Sequence, residues 1–316
     1  MLKKKNTTIP FYMDPWFWVK IMVFAIFALF LVWPFSSIIT NAFKSTKVEG
    51  FTLTNFNRFF SKKYYFGALW NSIGISLVPT VFACVLGVPM AYLMTRYNVW
   101  GKKVWHILAI LSLMSPPFLG AYAWIMLFGR AGSVTVFLEK FGIIIPTIYG
   151  FGGISTVLTL KLYPYIYMYT SGAMESIDSS LEECAENLGS GKLRRFFTVT
   201  MPVVTPSITA GALVVFMSAL ADFGTPMLLG GSEFRTLPVL IYNEYLSEIG
   251  GNGNLASAIS IIIVIITLVM LLVQKVYVSR KNYIMSALRP PKEIEVHGFK
   301  RFLVTLPVFL ISFVSF

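Results

Sequence analysis

Six long apolar segments divide this 316-residue chain, and they constrain its fold more than any other feature. A helix needs about 20 mostly apolar residues to cross the hydrocarbon core of a bilayer. Only 13% of the residues are charged, against about a quarter in soluble domains. Because lipid satisfies no backbone hydrogen bonds, such segments must be helical. The sequence therefore predicts an all-α polytopic membrane protein whose transmembrane domain covers 16–276, with spans at 16–39, 66–95, 104–128, 150–170, 202–221 and 255–276.

The basic residues between the spans predict an orientation. With the N-terminal residues 1–15 inside, the cytoplasmic segments carry about twice as many Lys and Arg residues as the external ones. The positive-inside tendency therefore favours a cytoplasmic N-terminus. The net charge of +12 has the same explanation, because the basic residues lie in short runs between apolar segments. We expect a lipid bilayer around the chain and no nucleic-acid partner.

The chain continues beyond the sixth span in two parts. Residues 277–301 have the composition of a cytoplasmic linker, with Arg289-Pro290-Pro291-Lys292 at its centre. A seventh apolar run covers 302–316 and is shorter than a full crossing. We expect this run to be the truncated start of a further transmembrane helix. The alternative is a short re-entrant or tilted tail.

Residues 175–201, between the fourth and fifth spans, have the pattern of a docking element. The run Asp178-Ser179-Ser180 predicts a helix N-cap, and the acidic residues of the next turns suit the positive end of the helix dipole. One face of this short helix is apolar and small, and its residues are Leu181, Cys184, Ala185 and Leu188. Gly189 and Gly191 then end the helix, and a basic helix runs from Lys192 to Pro202. An apolar face on the cytoplasmic surface needs a protein partner or the membrane itself.

This segment resembles the EAA loop of the permeases of binding-protein-dependent ABC importers. The motif of that family is Glu-Ala-Ala, three residues, Gly, nine residues, Ile-x-Leu-Pro. Glu183-Cys184-Ala185, Gly189 and Val199-x-Met201-Pro202 keep both spacers, with three conservative replacements. In that family the loop forms a coupling helix that sits in a cleft of the cytosolic ATPase. The resemblance implies the type I importer arrangement of six transmembrane helices and an ATPase-coupling set of Glu182, Glu183, Cys184, Ala185, Leu188, Gly189 and Pro202.

Three further segments resemble the ferric-iron branch of this family, whose members often hold two homologous halves in one chain. They are Tyr163-Pro164-Tyr165, Asp222-Phe223-Gly224-Thr225-Pro226 and Thr236-Leu237-Pro238-Val239-Leu240-Ile241-Tyr242. The resemblance implies an ATP-driven importer of the bacterial inner membrane, for ferric iron or a related anionic or chelated solute. A phosphorylated sugar, a phosphonate or another oxyanion remains an alternative. The implied partners are a cytosolic ABC ATPase dimer that binds ATP and magnesium, a periplasmic or lipoprotein substrate-binding protein, and a second permease half, fused or separate.

Four residues are candidates for a translocation path. Lys161 is the one charge deep in a span, where a cation in hydrocarbon is costly. It either lines the path and attracts an anionic or chelated solute, or it pairs with a backbone carbonyl or reaches an interface. Pro116 and Pro117 must interrupt the hydrogen bonds of the third span, either at the path or as a simple kink. Asp222, at the outer end of the fifth span, either faces a binding protein or is solvated.

The sequence predicts neither catalysis nor a metal site. The spans hold one histidine and almost no acidic residues, too few for an intramembrane catalytic cluster. His106 and His297 are too scattered to hold a metal. The chain has no GxxxxGK[ST] phosphate loop, so we expect ATP hydrolysis on a separate subunit. An ATP-independent carrier or channel remains as an alternative, although neither needs a docking loop.

Overall fold

A computed structural model describes residues 15–45, 50–231, 234–246, 251–279 and 293–315. The predicted cytoplasmic N-terminus and most of the predicted linker lie outside these residues. The described elements are helices, and the predicted all-α class is confirmed. In chain order they are α1 Pro15–Phe27, α2 Trp33–Ala42, α3 Thr54–Ser61, α4 Lys63–Arg96, α5 Lys102–Met114, α6 Pro117–Phe128, α7 Ser133–Glu139, α8 Phe151–Glu175, α9 Ser179–Asn187, α10 Lys192–Arg195, α11 Met201–Ala221, α12 Gly224–Leu229, α13 Leu237–Leu246, α14 Gly253–Ser279 and α15 Phe299–Ser315.

Each predicted span corresponds to one or two of these helices. Among the described residues, five helical segments are long and apolar enough to cross a bilayer, namely Pro15–Ala42, Lys63–Arg96, Phe118–Glu139, Lys192–Ala221 and Gly253–Val278. The fourth predicted span is α8, which is less apolar because it carries Lys161 and several Ser, Thr and Tyr residues. Its place in the centre of the bundle, against other helices, accounts for this composition.

Helices α4, α8 and α11 pack against one another and form the centre of the bundle. The backbones of α4 and α8 approach closely at Gly87, where an added Cβ would lie 2.7 Å from the Cβ of Ile166 and 2.9 Å from the carbonyl oxygen of Tyr163. Small residues allow helices to approach closely in membranes, where packing drives their association. The buried core around this contact includes Met90, Tyr163 and Ile166. This three-helix centre holds the elements that carry the candidate site.

Two π-helical segments lie directly before prolines in otherwise continuous helices. Ala28–Val32 joins α1 to α2 ahead of Pro34, and Phe196–Thr200 joins α10 to α11 ahead of Pro202. A proline has no N–H and its ring clashes with the carbonyl four residues earlier, so the helix widens there. The basic helix therefore does not end at Pro202, as the sequence pattern suggested, but continues into α11.

Residues 293–315 pack back onto the bundle. The Ile294 N–H donates to the Arg96 carbonyl at 2.8 Å, and Arg301 Nε donates to the Asn98 carbonyl at 2.9 Å. Helix α15 then packs against α4, α5 and α8, with the ring centroids of Trp105 and Phe309 5.4 Å apart. The seventh apolar run is thus a helix with a buried face. Its assignment as the start of a further span stays a prediction.

Candidate coupling loop and helix-break cavity

The predicted docking element, residues 175–201, is called here the candidate coupling loop. Ile177, just after α8, is fully buried and fixes the point where the chain leaves the bundle. The Asp178 side chain accepts a hydrogen bond from the Ser180 N–H at 2.9 Å, which is the predicted N-cap of α9. Leu181 packs against the main core. These contacts hold the first turn of α9 against the bundle.

Glu182 joins three elements at one end of the bundle. Its Oε1 accepts from Arg96, the last residue of α4, and from the Thr200 hydroxyl at 2.9 Å. The side chains of Arg96 and Glu182 are only 6% and 19% exposed. Charge-assisted hydrogen bonds of this kind are stronger in a partly desolvated setting. The Glu182 carboxylate therefore ties α9 to the ends of α4 and α11.

Gly189 ends α9 in the way the sequence predicted. Its φ is +79°, in the left-handed region, and its N–H donates to the Glu186 carbonyl at 2.8 Å. The Ser190 N–H donates to the Ala185 carbonyl at 3.0 Å, which completes a Schellman motif. Beyond this turn, Arg195 pairs with Glu186 at 2.6 Å and joins α10 to α9.

The predicted apolar face of α9 is divided between the bundle and the surface. Leu181 faces the bundle, whereas Cys184 is exposed and Leu188 is 88% exposed. Glu183, the residue before Cys184 in α9, is also exposed. On the basic helix, Leu193 and Phe197 are exposed as well. The loop therefore presents apolar side chains beside a carboxylate, at the end of the bundle where α4 ends and α11 begins.

The second feature is a pair of helix breaks that face each other. Helix α5 ends at Met114, Ser115 and Pro116 are extended, and α6 begins at Pro117, as the sequence predicted. Helix α11 ends at Ala221 and Asp222 is extended before α12. Rings of Phe118 and Phe223, which follow the two breaks, lie 5.9 Å apart edge to face. Non-helical backbone at membrane depth is tolerated where it is enclosed by protein or lines a cavity.

Lys161 of α8 meets Asp222 at these breaks. Its Nζ lies 2.7 Å from Asp222 Oδ2, and the side chains are 19% and 6% exposed. The other carboxylate oxygen of Asp222 accepts from the Thr225 N–H at 2.8 Å and caps α12. Lys161 is therefore paired with a carboxylate, a partner that the sequence analysis did not consider. Asp222 is correspondingly buried rather than solvated.

Two cavities meet at Lys161. The helix-break cavity, of about 260 Å³, is lined by Leu113, Ser115, Lys161, Leu162, Tyr165, Ser218 and Asp222. A larger cavity of about 820 Å³, mostly apolar, lies between α5, α6, α8 and α15 and also reaches Pro116 and Lys161. The structure thus brings Lys161, Pro116 and Asp222 together from three distant parts of the sequence. The hydroxyl residues Ser115, Ser218 and Tyr165 were not predicted for this site.

The fold is that of an ABC transporter permease. A crystal structure of a bacterial ABC transporter involved in the import of the acidic polysaccharide alginate matches with a TM-score of 0.70 at 19% sequence identity. The match covers 85% of this chain and 96% of that one. The chain belongs to the family of binding-protein-dependent transport system inner membrane components, whose model matches residues 83–283. This confirms the resemblance seen in the 175–201 segment.

Two curated relatives of this chain are named for different solutes. A putative ferric transport system permease protein of Haemophilus influenzae is 28% identical over 257 residues, 81% of this chain and 40% of the relative. A molybdenum transport system permease protein of Mycobacterium bovis is 30% identical over 210 residues, 65% of this chain and 76% of the relative. The chain spans about two fifths of the length of the ferric transport relatives it matches.

Proposed function

We propose that this chain is a membrane-spanning permease subunit of an ATP-driven, binding-protein-dependent importer in a bacterial inner membrane, with its N-terminus in the cytoplasm. The carrying observation is the candidate coupling loop, which is braced to the bundle on one side and exposes Cys184 and Leu188 on the other. Family membership and the excess of basic residues on the predicted inner side support the same conclusion.

The loop suits the transfer of force because a mostly buried ion pair attaches it to the central helices. Glu182 binds Arg96 of α4 and Thr200 ahead of α11, so a displacement of α9 is carried to two of the three central helices. The exposed carboxylate of Glu183 and the exposed apolar side chains of the loop, Leu188 among them, are available to a partner. We propose a cytosolic ABC ATPase dimer as this partner, with ATP and magnesium bound there.

The same proposal includes a path for the solute. Lys161 and Asp222 line the helix-break cavity, and Pro116 lines the larger cavity that also reaches Lys161. A substrate-binding protein would deliver the solute from outside, and a second permease half would complete the path. The relatives are named for ferric iron, for spermidine and putrescine, and for molybdenum, so their names do not select a solute.

Co-purification with the ATPase tests the docking role. The permease is expressed with a candidate ABC ATPase from the same genome, and the bound ATPase is quantified per permease for Gly189→Arg and Leu188→Arg. We expect each substitution to reduce the bound ATPase at least tenfold. Gly189→Arg forces a residue with a side chain into the left-handed region of φ, which is costly. Leu188→Arg places a charge on the exposed apolar face.

Leu246→Arg is the matched control, because Leu246 is also an exposed leucine but ends α13, away from the candidate coupling loop. We expect this variant to retain the ATPase. Equal retention of the ATPase by all three variants, or the absence of any ATPase from the purified wild-type complex, would defeat the proposal.

A further inference from the structure

We propose that the helix-break cavity binds an anionic oxygen group of the solute, with Lys161 as its ligand and Asp222 as the residue that positions Lys161. This inference rests on the proposed import function and adds the chemical class of the solute. It is based on Lys161, which lines both cavities and pairs with Asp222 at the second helix break.

The two members of the ion pair are not equivalent. Asp222 has a short side chain, is 6% exposed, and is held at both oxygens, by Lys161 at 2.7 Å and by the Thr225 N–H at 2.8 Å. Lys161 has a long flexible side chain, is 19% exposed and lines both cavities. An ammonium group carries three N–H donors, and the bond to Asp222 uses one of them. Lys161 is therefore the member that can contact a solute while it keeps its counter-ion.

The polar side chains that line the helix-break cavity are mainly hydrogen-bond donors, which favours a ligand with acceptor oxygens. Two donors of Lys161 remain for a ligand, and Ser115, Ser218 and Tyr165 add hydroxyl groups that can donate. An ammonium ion and hydroxyl groups suit a phosphate, molybdate or carboxylate oxygen. A bare cation would instead meet Lys161 as a like charge. The Asp222 carboxylate also lines the cavity, but both of its oxygens already accept hydrogen bonds, from Lys161 and from the Thr225 N–H. The cavity therefore favours a free oxyanion or a metal cation that arrives bound to one.

The test uses the complete transporter, with its ATPase and binding protein, reconstituted in proteoliposomes. The probes are radiolabelled molybdate, ferric iron supplied with phosphate, and spermidine as an organic cation. The measured quantity is the number of solute molecules imported per ATP hydrolysed. Loss of a solute contact lowers this ratio, and recovery of the ratio by a variant that restores the cation distinguishes that loss from a general fault in coupling.

The informative variant is Lys161→Gln combined with Asp222→Asn, which removes both charges and retains an acceptor for the Thr225 N–H. We expect the ratio to fall at least tenfold for whichever oxyanion probe the wild type imports. Lys161→Arg should keep the ratio within about threefold, because it preserves the cation. Lys20→Gln is the matched control, since Lys20 lies in exposed α1, and it should leave the ratio unchanged.

The outcomes separate the two proposals. A neutral variant that imports an oxyanion probe with the wild-type ratio overturns this inference and leaves the import function intact. Import of spermidine in preference to both oxyanion probes also overturns it. Import of molybdate alone identifies a free oxyanion, and import of iron only with phosphate identifies a metal-bound one. A wild-type complex whose ATP hydrolysis does not respond to the binding protein counts against the proposed function itself.

Discussion

Glu182 attaches α9 to the bundle through Arg96 and the Thr200 hydroxyl, so the loss of Arg96 should loosen α9. In the variant Arg96→Met, the Glu182 carboxylate loses its ionic partner and keeps only the Thr200 hydroxyl. Removing one partner of a fully buried ion pair costs about 3–5 kcal/mol. Glu182 retains 19% exposure and one hydrogen bond, so we expect about 2 kcal/mol for the local opening of α9.

Hydrogen exchange followed by mass spectrometry measures this opening directly, with the permease in lipid nanodiscs. Since about 1.4 kcal/mol corresponds to a factor of ten, amides of residues 179–188 should exchange about 30-fold faster in Arg96→Met. The double variant Arg96→Met with Glu182→Leu should recover part of the protection, because two apolar side chains leave no unpaired charge.

The control is Glu293→Gln, which breaks the more exposed ion pair to Lys102. An exposed pair contributes about 0–1 kcal/mol, so exchange in α9 should be nearly unchanged. The reasoning is refuted if Arg96→Met leaves α9 as protected as the wild type, or if the double variant exchanges faster than the single one.

Two further predictions concern glycines and can be checked by the same exchange experiment and by thermal unfolding. Gly189→Ala should destabilise the end of α9 by about 1 kcal/mol, because the φ of Gly189 is +79°. Gly191→Ala should have no effect, because the φ of Gly191 is −66°. An added Cβ meets no atom within 4 Å at either site, so the comparison isolates the backbone conformation. Gly87→Ala should lower the melting temperature by several degrees, because its Cβ would meet Ile166 at 2.7 Å, and Gly67→Ala, with nothing within 4 Å, should not.

The sequence predicted the elements that depend on local chemistry. The N-cap at Asp178, the turn at Gly189 and the break at Pro116 follow from the residues themselves, and the structure has all three. The long apolar runs also predicted the spanning helices, because the thickness of a bilayer sets the length of such a run.

The sequence did not predict the features that depend on packing between distant segments. Lys161 and Asp222 were both recognised as candidates, but their pairing requires α8 and the end of α11 to be adjacent. The sequence did contain a signal for this pairing. A cation within a span requires a counter-charge, and few acidic residues lie near the spans. Glu182 was grouped with the ATPase-contacting residues, yet its carboxylate faces Arg96 within the chain.

Accessibility of the native Cys184 tests the central claim most directly. In a Cys84→Ser background, inverted and right-side-out membrane vesicles are treated with a membrane-impermeant maleimide, with and without the bound ATPase. We predict rapid labelling in inverted vesicles only, and strong protection when the ATPase is bound, because Cys184 lies on the exposed face of α9. Labelling in right-side-out vesicles, or an equal rate with and without the ATPase, would contradict the account.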